Sequence, residues 1–127
     1  MAGKASFLYV KMGSATTPAI QAPAMQNDAI KTPQDCGSMD ELRAAIDALD
    51  LKLVQLLARR QRYIERAAEL KSGREQVRDP ARIEDVVQKV IAAAGPAGLN
   101  PAIAEPVWRM LIEASISHEF EAFDKKR

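Results

Sequence analysis

Cysteine is nearly absent: one residue, Cys36, in a chain of 127. A single thiol closes no intrachain disulfide and makes no cysteine-rich zinc site, and a reducing compartment is the simpler setting for it. Net charge is nearly absent too, with 18 Lys and Arg against 17 Asp and Glu, a formal +1. Sequence-independent nucleic-acid binding needs a large positive excess, so that class is excluded. No apolar run approaches the roughly 18 residues of a membrane span. The short apolar piece Ser6 to Val10 is cut off by Lys11, too early for a secretory core of about 7–15 residues. The expected location is therefore the cytoplasm. A glycine-rich phosphate loop, a Ser/His/Asp arrangement and a cluster of metal ligands are all missing, so no metal and no cofactor are expected. The one histidine, His118, reads as a surface or packing residue. Strand-like alternation and internal repeats are missing as well.

What is present divides near residue 38. Residues 1–38 carry Pro18, Pro23 and Pro33 among scattered Gly, Ser, Thr, Gln and Asn. No helical or alternating period survives there, so a flexible or loosely attached leader is expected. Met12, Met25 and Met39 are each possible starts. Residues 39–127 form the body, one domain's worth of chain, with 15 basic and 15 acidic residues beyond position 38.

The body reads as all-α, three helices in one chain. The first opens at Ser38 or Asp40 as N-cap, with Asp40 and Glu41 at its positive end. It meets no Pro or Gly before Gly73, which allows about 33 residues and about 50 Å of helix. Its apolar seam steps by four and three through Leu42, Ile46, Leu49, Leu53, Leu56, position 60, Tyr63, Ala67 and Leu70. A second helix opens at Asp79-Pro80 and runs to about Ala94, where Gly95-Pro96-Ala97-Gly98 is expected to stop it. Asn100-Pro101 opens a third, ending near Phe123, with Lys125, Lys126 and Arg127 at its negative end. A helix of about 50 Å is longer than the globule this body would make, and its seam must be covered. Pairing with a second copy covers it, so an entwined helical homodimer is expected.

The candidate functional residues are those that break the apolar stripes. Arg60 stands on the seam between Leu56 and Tyr63. A buried guanidinium needs an anion; the bland alternatives are a stem bent out to solvent or a structural carboxylate partner. Ser115 and Glu119, four apart on one face of the third helix, break its stripe in the same way; a small packing residue and a surface carboxylate are the bland readings. Lys71 ends the first helix, where the dipole favours a cation in any case. Arg43 and Arg82 stand at helix amino ends, where a cation is disfavoured. If Arg43, Arg60, Lys71 and Arg82 converge, they make a small positive pocket, and a dicarboxylate is its natural ligand.

These residues resemble the all-helical class of chorismate mutase. The resemblance rests on Leu42-Arg43-Ala44-Ala45-Ile46-Asp47-Ala48-Leu49-Asp50, on Leu56-Leu57-Ala58-Arg59-Arg60, on Lys71, and on Val77-Arg78-Asp79-Pro80-Ala81-Arg82. It covers about residues 39–124. It implies an entwined dimer with two active sites, each taking Arg43 from one subunit and Arg60, Lys71, Asp79, Arg82, Ser115 and Glu119 from the other. It implies that Arg43 and Arg60 clamp the two carboxylates of chorismate, that Lys71 and Glu119 address the ether oxygen, that Asp79 and Arg82 lie near the ring hydroxyl, and that Ser115 contacts a carboxylate. The reaction implied is the pericyclic conversion of chorismate to prephenate, in the biosynthesis of aromatic amino acids. Such chemistry needs a near-attack conformer and charge stabilisation rather than a nucleophile.

Two positions depart from the bacterial pattern. Glu119 stands where Gln is common, although fungal relatives also carry Glu. An ionised carboxylate would repel the developing oxyanion, so Glu119 would have to act protonated, which burial favours. Ile83 stands where an acidic residue often contacts the ring hydroxyl. The leader segment Lys31-Thr32-Pro33-Gln34-Asp35-Cys36 resembles the start of isochorismate-pyruvate lyases, which share the fold and serve salicylate synthesis. The lyase is therefore the alternative activity, and a non-catalytic helical dimer that binds a partner is the alternative class.

Overall fold

The computed structural model describes residues 29–126. The expectation of a flexible leader falls mostly on residues 1–28, outside the described residues. The remainder of that segment is a 3-10 turn at Pro33–Asp35, tied to the body by Glu41. The Glu41 carboxylate accepts from Gly37 N at 2.8 Å and from Lys31 Nζ at 3.1 Å.

Three helices follow and, among the described residues, no strand: α1 (Met39–Leu70), α2 (Pro80–Ala97) and α3 (Pro101–Lys125). Each begins where its cap demands. Ser38 Oγ accepts from Glu41 N at 3.1 Å, Asp79 Oδ1 from Arg82 N at 3.1 Å, and Asn100 Oδ1 from Ala102 N at 2.9 Å. These bonds satisfy amides that the first helical turn leaves without partners. With 32 residues, α1 is about 48 Å long. None of the helices is apolar and long enough to cross a membrane.

Two helix ends differ from expectation. Helix α2 passes through Gly95 and Pro96 and ends at Ala97. Pro96 lacks the N–H that would bond to Ala92 O and its ring crowds that carbonyl, yet one further residue, Ala97, stays helical. The stop is Gly98, whose φ of 79° is left-handed, with its N–H on Ala94 O and the Leu99 N–H on Ala94 O at 2.9 Å. Helix α3 runs two residues past Phe123 and carries Pro106 in its second turn without breaking. The two glycines are thus not equivalent. Gly95→Ala should stabilise the chain by about 0.5–1 kcal/mol, since the position is helical and open. Gly98→Ala should destabilise it by about 1 kcal/mol, because alanine strains at a positive φ. Urea unfolding of the two variants should give midpoint shifts of opposite sign.

Helix α3 is the hub. It packs against both α1 and α2, and the core lies on its flanks: Ala68 from α1, Val77 from the connecting loop, Val87 from α2, and Ile112, Ile116 and Phe123 from α3. Paired residues give the directions. Arg78 and Glu113, then Arg109 and Glu84, run in opposite order, so α2 is antiparallel to α3. Arg60 with Ser115, Glu65 with His118, and Lys71 with Glu119 ascend together, so α1 and α3 run parallel. Ala68 is the only buried residue of α1. The seam residues Ile46, Leu49, Leu53, Leu56, Tyr63 and Leu70 are 40–68% exposed in the single chain.

Candidate active site

The pocket at issue, about 420 Å³, lies where α1, α2 and α3 meet. That volume is in the range of small-molecule sites. Helix α1 lines it with Arg60, Tyr63, Ile64 and Ala67 and ends at Lys71. The loop after α1 adds Val77 and Asp79, and α2 adds Arg82, Ile83 and Val86. Helix α3 closes it with Ile112, Ser115, Ile116 and Glu119. Each helix contributes apolar residues to the lining together with at least one charged residue.

Of the seven residues singled out from the sequence, the structure brings six together here: Arg60, Lys71, Asp79, Arg82, Ser115 and Glu119. Arg43 is not among them. It lies 17 positions before Arg60 on the same helix, hence about 25 Å away along the axis.

Arg60 follows neither of its bland readings. It is half-buried, and its Nη1 donates to Ser115 Oγ at 2.8 Å. Among the described residues no carboxylate pairs with it. Burial first, and the Arg82 charge second, lower its pKa below the usual arginine value. A partly desolvated guanidinium whose side-chain partner is a neutral hydroxyl has the chemistry to take an anion.

Lys71 is the C-cap residue of α1. Its Nζ donates to Glu119 Oε2 at 2.7 Å. Glu119 is 4% exposed and is the only buried polar side chain among the described residues. The expectation of a buried Glu119 is met; the reading of it as a surface carboxylate is not. Its carboxylate accepts from the lysine.

Asp79 and Arg82 sit at the pocket's rim, both exposed. Asp79 spends Oδ1 on capping α2, and Arg82 Nη1 donates to Asp85 at 2.7 Å, an exposed pair that Lys89 shares. Their placement at the mouth makes Arg82 a source of field more than of fixed contact. Behind the pocket, His118 Nε2 meets Glu65 Oε2 at 2.7 Å and joins α3 to α1. The hydrogen bonds from His118 and Gln61 hold the Glu65 carboxyl below its usual range. No group of three or more His, Cys, Asp or Glu among the described residues could hold a metal ion.

The sequence profile of chorismate mutase type II matches residues 42–120. The chain belongs to that family. The matched stretch spans all seven candidate residues, from Arg43 to Glu119. A relative, the isochorismate pyruvate lyase of Pseudomonas aeruginosa, is 29% identical over 98 residues, which is 77% of this chain and 97% of that protein. Every residue that lines the pocket lies within the stretch matched to the chorismate mutase type II family.

Sequence reasoning left several lining residues unassigned. Tyr63 reads as seam, Val86 and Ile112 read as apolar-face residues of their helices, and Ile116 carries no sequence assignment. An apolar stripe that turns one edge to a cavity has the same periodicity as one that is wholly buried, so no signal separated them.

Proposed function

We propose that the protein is a cytoplasmic homodimer that rearranges chorismate to prephenate. The observation that carries this reading is Arg60: half-buried, unpaired with any carboxylate among the described residues, and in one pocket with the Lys71–Glu119 pair. Chorismate is a dianion with an apolar ring face and an ether oxygen that gains negative charge as its C–O bond breaks. Arg60 with Ser115 would take one carboxylate. The apolar side chains of Val77, Ile83, Val86, Ile112 and Ile116 would pack the ring and exclude water, which strengthens every charge contact within. Lys71 would stand at the ether oxygen, and Glu119 in its acid form would donate there too. The bond-making is intramolecular, so the pocket's work is to hold the side chain over the ring and to stabilise the developing oxyanion.

The dimer is supported by the uncovered seam of α1, and by the distance of Arg43 from its own chain's pocket. A partner whose α1 crosses this pocket would bring its Arg43 to the second carboxylate. Chains carrying Arg43→Ala and Arg60→Ala should each be inactive alone. Mixed after separate unfolding, they should regain about a quarter of wild-type activity, since half of random dimers are mixed and each holds one intact site. Activity no higher than that of the two parents would exclude donation across subunits.

A second reading, isochorismate-pyruvate lyase, is favoured by the Pseudomonas aeruginosa relative and by Ile83, which offers a ring hydroxyl no hydrogen bond. The test is direct. The purified protein is given chorismate and isochorismate in turn, and prephenate is followed in one assay, salicylate and pyruvate in the other. Prephenate formation as the faster reaction supports the mutase; faster pyruvate release from isochorismate replaces it with the lyase. Turnover of neither leaves a helical dimer that binds without catalysing.

A further inference from the structure

Lys126 lies just past the last residue of α3 and outside the stretch matched to the family. Its position suggested a cation for the negative end of its own helix. Its ammonium instead reaches the end of α1. Nζ donates to Ala68 O at 2.8 Å and to Lys71 O at 2.6 Å, and it lies 4.2 Å from the centre of the Phe123 ring. The last carbonyls of a helix have no partners within it and carry its negative pole. Helix α1 has no basic residue of its own in its last turn; Lys126 fills that place from another helix.

The contact bears on the site because of which carbonyl it holds. Lys71 is where the chain leaves α1, with φ −75° and ψ 140°. With Lys71 N already held by the helix, a bond to Lys71 O restrains φ as well as ψ at that residue, and φ sets the direction from which its side chain leaves. Lys71 is then gripped at three atoms: N by Ala67 O at 3.0 Å, O by Lys126, and Nζ by Glu119. Glu119 and Lys126 are seven apart, two helical turns along one face of the chain's last helix. Phe123 stands between them, buried, and supports the Lys126 ammonium with its ring.

We propose that Lys126 is a positioning residue for Lys71, holding the backbone of that lysine so that its ammonium meets the reacting oxygen. The proposal rests on the assignment of Lys71 to the ether oxygen. A misplacement of about 1 Å at a reacting group can cost up to about 10²-fold in rate.

The experiment compares full-length Lys126→Met, Lys126→Arg and, as control, Lys125→Met. Methionine keeps a stem over Phe123 and removes the donor. On whichever substrate the wild type turns over, Lys126→Met should lower kcat by about tenfold or more with KM changed by less than about twofold, and Lys126→Arg should recover most of the loss. The control should match wild type. An unchanged kcat in folded Lys126→Met, or a kcat in Lys126→Arg as low as in Lys126→Met, overturns the proposal. A second readout stands apart from activity: the side-chain ammonium signal of Lys71 in ¹H–¹⁵N spectra, kept from exchange by Glu119. It should broaden or vanish in Lys126→Met, and its persistence there overturns the proposal. Loss of that signal in a protein whose wild type converts neither substrate would retain the backbone restraint and retire the catalytic reading instead.

Discussion

Arg60→Ala is expected to lower kcat/KM by about 10²–10³-fold without lowering the melting temperature. The rate loss follows from the proposed role of Arg60: removing a partly desolvated cation that takes a substrate carboxylate would cost about 2–5 kcal/mol where the partner is left unpaired, or roughly tenfold per 1.4 kcal/mol. The stability follows from what Arg60 does at rest. Burial and the nearby Arg82 both oppose its charge, and its hydrogen bond goes to a neutral hydroxyl. Alanine removes the opposed charge and leaves Ser115 facing the pocket. Activity assays and thermal melts on the same preparation decide the matter. Full activity in the variant would remove the pocket from consideration as the substrate site, and a large fall in melting temperature would make Arg60 a structural residue.

The opposite pattern is expected at Lys71. Lys71→Met removes the proposed donor to the ether oxygen, a loss of about 10²–10³-fold in kcat by analogy with other oxyanion donors. It also leaves the buried Glu119 carboxylate without its cation. Breaking a buried pair from one side typically costs about 3–5 kcal/mol, and the 28% exposure of the Lys71 side chain argues for the lower end. Adding Glu119→Gln to Lys71→Met should restore most of the stability and none of the activity. Glu119→Gln alone tests the acid-form reading, because an amide donates at every pH. The variant should keep at least wild-type kcat, since its amide supplies the donor proposed for the ether oxygen. A fall in kcat of about tenfold or more in that variant would remove a donor at position 119 from the mechanism.

The caps and helices were legible because their determinants are local. Ser38, Asp79-Pro80 and Asn100-Pro101 each act within one turn, and each helix starts where they stand. The end of α2 was read three residues early because Gly95 and Pro96 look like a stop beside Gly98. Of the glycines among the described residues only Gly98 takes the left-handed conformation that ends a helix, and the residue after Pro96 is still helical. The site was legible through conflict. Arg60, Ser115 and Glu119 interrupt stripes that are otherwise apolar, and all three meet in one pocket. The role of Lys126 was not legible, since a lysine near a helix end has a sufficient reason in its own dipole. That its ammonium belongs to a different helix depends on a contact 55 residues away in sequence. The same holds for Glu65 and His118, 53 apart.

The parallel course of α1 and α3 has a kinetic consequence. Helical bundles usually fold fast because their contacts are near neighbours in the chain. Here the rungs that make the pocket join residues 55 apart at Arg60 and Ser115 and 48 apart at Lys71 and Glu119, with all of α2 in between. That loop must close before either rung rewards it. The pocket is therefore a late product of collapse, and neither α1 alone nor the α2–α3 hairpin alone contains it.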